Sequence, residues 1–211
     1  MNTIALFGGT FDPVHNGHIK ASLAIQSHFH FDDYYFLPCK IPVIKPSARA
    51  SSDQRITMLQ LAIKPFANFK LDLREIKRSS PSYMVDTLEG FRMDYPKASI
   101  TLIMGYDAFL SLPKWHQWEK LIKLANFLVI NRSNHALELL PPPLERMLKE
   151  HQSDNEMKIL KQQSGVIVFF DAGKFEISST EIREKIKDGR GVKRDLPKKV
   201  FEYINCNGLY R

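Results

Sequence analysis

Residues 3–18 read Thr-Ile-Ala-Leu-Phe-Gly-Gly-Thr-Phe-Asp-Pro-Val-His-Asn-Gly-His, and the order of the fold is legible from them. Thr3 to Phe7 is a short apolar run, stopped by Gly8-Gly9, and Phe11-Asp12-Pro13 makes a turn. From Gly17 apolar residues return at Ile19, Leu23 and Ala24, the spacing of one helical face. A strand, a glycine turn and a helix in that order open an α/β unit.

The same alternation recurs downstream. Tyr34 to Leu37 reads as a strand ending at Pro38, followed by a Pro-, Lys- and Ser-rich loop at about 39–52, the candidate mobile element. Asp53 is expected to cap a helix whose apolar face is Ile56, Leu59, Ala62 and Ile63. Phe69 to Leu73, Ile100 to Met104, Phe127 to Ile130 and Val166 to Phe170 read as further strands. A helix is expected from Ser82, carrying Val85, Leu88 and Phe91, and a charged helical stretch at about 143–163. Strands that are apolar throughout belong to parallel sheets covered on both faces. The expected fold is therefore α/β, a Rossmann-like doubly wound parallel sheet forming a single domain over residues 1–211.

Composition narrows the partners. Of 211 residues, 30 are Lys or Arg and 23 Asp or Glu, a net charge of +7 that favours anionic partners. No apolar run approaches the roughly 18 residues of a membrane helix, and no signal peptide is evident, so no membrane partner and a cytoplasmic location are expected. Cys39 and Cys206 lie far apart without CxxC spacing, which disfavours a disulfide scaffold and fits a reducing compartment. Lys193-Arg194 and Lys198-Lys199 lack aromatic interleaving or a helix-turn-helix signature, so no nucleic-acid partner is expected.

In a doubly wound sheet ligands bind beyond the carboxyl ends of the strands, where the first strand delivers Gly8 to His18. The run has neither GxGxxG spacing nor a Walker lysine, but paired glycines let backbone amides approach a phosphate. His15 and His18 flank a glycine at a helix start, where the dipole already favours an anion. They could together stabilise charge growing on a phosphoryl group, and no third ligand at fixed spacing makes them a zinc pair. Near the end of the chain, Ile177-Ser178-Ser179-Thr180-Glu181-Ile182-Arg183 combines a capping box with an arginine fork one turn in, a second anion site.

GGTFDPVHNGH resembles the signature of the nucleotidyltransferase superfamily, whose hallmark HxGH falls here on His15 to His18, and the 177–183 segment resembles its ISSTxIR motif. Within the superfamily the likeness is to bacterial nicotinate-nucleotide adenylyltransferases. It runs through Pro81-Ser82-Tyr83, Thr87-Leu88, Gly105-Tyr106-Asp107, Trp115, Tyr203-Ile204 and Gly208 to Arg211. That resemblance implies transfer of AMP from ATP to nicotinate mononucleotide with Mg²⁺ held mainly by the substrate phosphates, giving deamido-NAD and pyrophosphate. It implies His15 and His18 as catalytic residues. Gly8, Gly9, Thr10, Phe11, Lys45, Gly105, Asp107, Arg132, Ser178, Ser179, Thr180 and Arg183 would bind ATP, and Tyr83, Met84, Thr87, Trp115 and His116 the acceptor. The acceptor carboxylate would rest on backbone amides near Met84 and His116, with the Trp115 ring stacked on the pyridine. Three positions depart from the family pattern: Met84 stands where threonine is common, His116 where tyrosine is common, and Ile44 where a PPHK-type segment has histidine. Two alternatives stay open: a sister enzyme acting on another acceptor, such as nicotinamide mononucleotide or phosphopantetheine, and a silent nucleotide-binding regulator.

Overall fold

The computed structural model describes residues 1–40, 48–130, 140–175 and 177–211. Six strands, β1 (Thr3–Gly9), β2 (Asp33–Pro38), β3 (Phe69–Leu71), β4 (Ser99–Gly105), β5 (Asn126–Ile130) and β6 (Ile167–Phe170), form one sheet. Every pairing is parallel and the order is β3-β2-β1-β4-β5-β6. The chain thus winds outward from β1 in one direction, then returns to lay β4 against its other side. The reversal opens a crevice at the carboxyl ends of β1 and β4.

Both faces of the sheet are covered, which is why its strands carry no polar stripe. Ala5 and Phe7 of β1 join one core with α1 (Asn16–Phe29), α2 (Ser52–Ile63), α8 (Ser179–Lys187) and α9 (Lys198–Cys206), while Ile4 and Leu6 join the other. That second core contains residues of α4 (Met84–Asp94), α6 (Trp118–Leu124) and α7 (Pro142–His151). Two short helices, α3 (Arg74–Lys77) and α5 (Tyr106–Leu110), follow β3 and β4. Apart from the edge strand β3, each strand alternates its apolar side chains between two interiors, the arrangement expected of a doubly wound sheet. Among the described residues no helix is long and apolar enough to cross a membrane.

Several boundaries differ from expectation for local reasons. Ser51, not Asp53, caps α2: its Oγ accepts from the Gln54 amide and Gln54 answers to the Ser51 amide, a reciprocal box that an Asp two positions later cannot form. Helix α4 begins at Met84 rather than Ser82, with Tyr83 as its N-cap and no side-chain cap bond. The charged stretch at 143–163 is not one helix; α7 ends at His151 and a separate 3₁₀ turn spans Glu156–Leu160. Asn126 and Ser99, the first residues of β5 and β4, tie the 3₁₀ turn to the sheet, the Asn126 amide donating to the carbonyls of Ile159 and Gln162.

Candidate active site

The first turn is built as a hydrogen-bonded lattice before any ligand arrives. Phe11 takes a left-handed backbone (φ 49°), and its buried ring packs edge-on against Phe7 and His18. Asp12, 4% exposed, accepts from the Arg49 amide (2.8 Å), the Ala50 amide (3.1 Å) and the Tyr210 hydroxyl (2.7 Å). Its own carbonyl accepts from Arg183 Nη1 (2.8 Å), and the next carbonyl, Pro13, from Ser179 Oγ (2.9 Å). Arg55, 1% exposed on α2, donates to the carbonyls of Thr10 (2.8 Å), Cys39 (2.7 Å) and Lys40 (3.3 Å), fastening the ends of β1 and β2 together. Four distant segments therefore converge on one turn.

The two histidines complete it. His15 is the N-cap of α1: its Nδ1 accepts from the His18 amide (3.4 Å), while His18 Nδ1 accepts from the His15 amide (3.2 Å). The rings stack with centroids 3.7 Å apart. A Cβ on Gly17 would lie 3.0 Å from His15 Nδ1, so the glycine between them lets that ring fold over the helix start. An imidazole accepting at Nδ1 carries its proton on Nε2, which makes each ring a donor there while still neutral. Burial drives the His15 pKa down to about 4, against the opposing pull of Asp195. His15 is therefore a neutral donor at physiological pH, offering a fixed dipole and not a cation.

A second wall of the crevice is assembled from α4 and the segment after α5. The Tyr83 and His116 rings lie 4.4 Å apart, and a Cβ on Gly8 would meet Met84 Cε at 3.1 Å, so Tyr83, Met84 and His116 are brought up against the end of β1. Trp115 is half-buried, its Nε1 donating to Ser111 Oγ (3.3 Å). With no side-chain cap, the first amides of α4 depend on water or a ligand. Gly105 ends β4 across the crevice, and Asp107 is exposed in the first turn of α5.

Not every expected residue faces the crevice. Thr87 is completely buried, its hydroxyl donating to Glu75 Oε1 (2.9 Å). Ser178 accepts from the Glu181 amide (3.1 Å), but Glu181 turns outward to pair with Lys185, so only half of the expected capping box is made. Thr180 accepts from Arg183 Nη2 (3.2 Å). Lys45 and Arg132, together with Ile44, lie outside the described residues. So does much of the loop at 39–52, although its residues 49 and 50 are pinned to Asp12. Sequence reasoning did not single out Arg55 or Glu75, and it named Tyr210 only within the terminal segment that carries the resemblance, with no role. Arg55 did leave a signal, because it shares a face with the apolar Met58, Leu59 and Ala62, where a charge has no business unless it is bonded.

Among the described residues no group of three or more His, Cys, Asp and Glu could hold a metal ion. The donor set explains why the turn suits an anion better than a cation: the Asp12 carboxylate is spent on two amides and a hydroxyl, and the remaining groups are amides, imidazole N–H and guanidinium.

A crevice at the strand-order reversal, edged by backbone amides, a stacked pair of imidazoles and an arginine, defines a nucleotide-handling α/β domain. The sequence profile of the cytidylyltransferase-like family matches residues 6–185, and the chain belongs to that family. It is 54% identical over its full 211 residues to the full length of the "Probable nicotinate-nucleotide adenylyltransferase" of Legionella pneumophila (strain Corby). Identity to the enzyme of the same name from Methylococcus capsulatus is 38% over 208 residues, covering 98% of this chain and 99% of that one. Among solved structures, the nicotinic acid mononucleotide adenylyltransferase of Plasmodium falciparum complexed with NaAD shares the fold. It superposes with a TM-score of 0.74 at 19% identity, covering 100% of this chain and 98% of that chain.

Proposed function

We propose that this chain transfers the adenylyl group of ATP to nicotinate mononucleotide, releasing pyrophosphate and giving deamido-NAD, with residues 1–211 working as one domain. The observation that carries the reading is the reciprocal His15–His18 box at the end of β1, which fixes two Nε2–H donors on a rigid turn.

The acceptor phosphate is already a nucleophile at neutral pH, so an in-line attack on the α-phosphorus requires no covalent enzyme intermediate. The protein has to place two polyanions against each other and meet the charge that grows as pyrophosphate leaves. His15 and His18 donate to the α- and β-phosphate oxygens without reorganising, because each ring is already held by the other's backbone amide. Arg183 and Ser179 are bonded to the carbonyls of the same turn, so they hold the turn in shape and extend its field toward the triphosphate. Gly8, Gly9, Thr10, Phe11, Ser178, Thr180, Gly105 and Asp107 supply the nucleotide-facing rim. Mg²⁺ would arrive on the triphosphate, whose charge it screens, and not on protein carboxylates.

On the acceptor side the uncapped start of α4 supports recognition of an acid over an amide, because two converging N–H groups suit a carboxylate and clash with an amide NH₂. Recognition through backbone explains why Met84 and His116 can replace threonine and tyrosine. The Trp115 ring stacks on the pyridine. Two widely separated free cysteines support a reducing, cytoplasmic location.

The test is pyrophosphate release from MgATP with nicotinate and nicotinamide mononucleotides side by side. Release at least about tenfold faster with the nicotinate compound is expected, the discrimination of a lost hydrogen-bonded group. Equal rates would remove the acid preference, and no release with either would turn the reading into that of a nucleotide-binding module.

A further inference from the structure

Glu75 is the deeply buried acid that the chemistry above does not use. It sits on α3 with 3% exposure, and its carboxylate accepts from Thr87 Oγ1 at 2.9 Å, with the Ser82 hydroxyl beside it. Burial pushes its pKa up to about 7, while the bonds from Thr87 and Ser82 and the neighbouring Arg78 charge pull the other way. No bonded cation offsets the desolvation among the described ion pairs: Arg78 lies 3.5 Å from Asp86 instead, and Arg74 is held by Asp72 and Asp94. A carboxylate buried on those terms costs stability, so what it secures should matter more than packing does.

What it secures is specific. Both hydroxyls belong to the segment that presents Tyr83 and Met84 to the crevice. Ser82 Oγ also accepts from the Lys40 amide (3.0 Å) at the exit of β2, and the preceding amide, Cys39, donates to the Gly9 carbonyl (3.1 Å). Lys40 Nζ further donates to the Arg78 carbonyl (3.0 Å), and Arg78 Nη1 to the Tyr83 carbonyl (3.5 Å). A line of contacts thus runs from Thr87 to Glu75, past Ser82 beside it, and by bonds through residues 40 and 39 to the Gly9 carbonyl. It ties the segment that starts α4 to the glycine pair at the end of β1.

We propose that Glu75 is a positioning residue for the acceptor nucleotide, setting the start of α4 relative to the Gly8–Gly9 turn through Ser82 and Thr87. It touches no substrate, and it acts through the two hydroxyls it orients. The inference rests on the adenylyl-transfer reading above.

Initial rates with nicotinate mononucleotide and MgATP varied independently test it, using wild type, Glu75→Ala, Glu75→Gln and Thr87→Val. Glu75→Ala is expected to raise the KM for the acceptor about tenfold, the loss of bonds to a charged acceptor, with the KM for ATP within about twofold. Glu75→Gln keeps an oxygen for both hydroxyls and should return the acceptor KM to within about threefold of wild type. Thr87→Val, which is nearly isosteric, should raise it about threefold. Equal rises in both KM values, or a glutamine variant as impaired as the alanine one, would overturn the assignment. If Glu75→Ala does not fold, Thr87→Val decides alone, and an unchanged acceptor KM refutes the role. A wild-type chain inert toward nicotinate mononucleotide would sink the proposed function and this inference with it, whereas an active wild type with indifferent variants sinks the inference only.

Discussion

The two halves of the crevice are held in opposite ways. On the side proposed to take the triphosphate, His15 and His18 are engaged with each other's amides, Arg183 with the Asp12 carbonyl and Ser179 with that of Pro13. On the proposed acceptor side Tyr83 and His116 rest on each other, Trp115 is half-buried, and the amides at the start of α4 have no side-chain cap. The contrast follows the chemistry. A transition state that gains charge at fixed oxygens rewards donors that need not move, whereas discriminating between similar pyridine rings requires a surface whose partners arrive with the ligand.

The comparison is most exposed at His18. Its replacement by alanine should lower kcat/KM for pyrophosphate release about 10²- to 10³-fold, the effect of removing one preorganised donor; a change within about threefold would mean the turn is scaffolding only. Next is the proton linkage of His15. Its folded pKa, about 4, lies below the unfolded value of 6.5, so the unfolded chain binds the extra proton and stability is lost as pH falls from 6.5 toward 4. The loss should reach about 3 kcal/mol relative to His15→Asn, which keeps a cap without titrating. Parallel denaturation curves for the two proteins across that window would show that His15 is not held neutral. Arg183→Lys should follow, costing about tenfold in kcat/KM because an ammonium cannot hold the Asp12 carbonyl and face a phosphate with one planar fork. Tyr210→Phe removes one of three donors from a buried carboxylate and should destabilise by about 1–2 kcal/mol, a few degrees in Tm. The smallest effect belongs to the acceptor side: Trp115→Ala should raise the acceptor KM about fivefold and leave the ATP KM alone, the loss of one stacked ring. If it impaired ATP instead, the division between the halves would fail.

The sheet was readable because fully buried parallel strands leave a continuous apolar run, and each of the expected strands at 3–7, 34–37, 100–104 and 127–130 lies within an observed one. Boundaries shifted where a cap is reciprocal and so depends on two residues at once, as at Ser51 and Gln54. The turn between β1 and α1 was readable as well, since eleven contiguous residues carry it. What the sequence could not convey is which side chains turn away. Thr87 resembles a ligand-binding threonine in every local respect, and only packing against Glu75 reveals that its hydroxyl points inward. Asp12 likewise reads as a turn residue, because its three donors come from residues 49, 50 and 210.

The bond from Tyr210 to Asp12 joins positions 198 apart in the chain. A substitution that unseats the segment after α9 is therefore felt at the turn before α1, as the loss of one of three donors from a buried carboxylate.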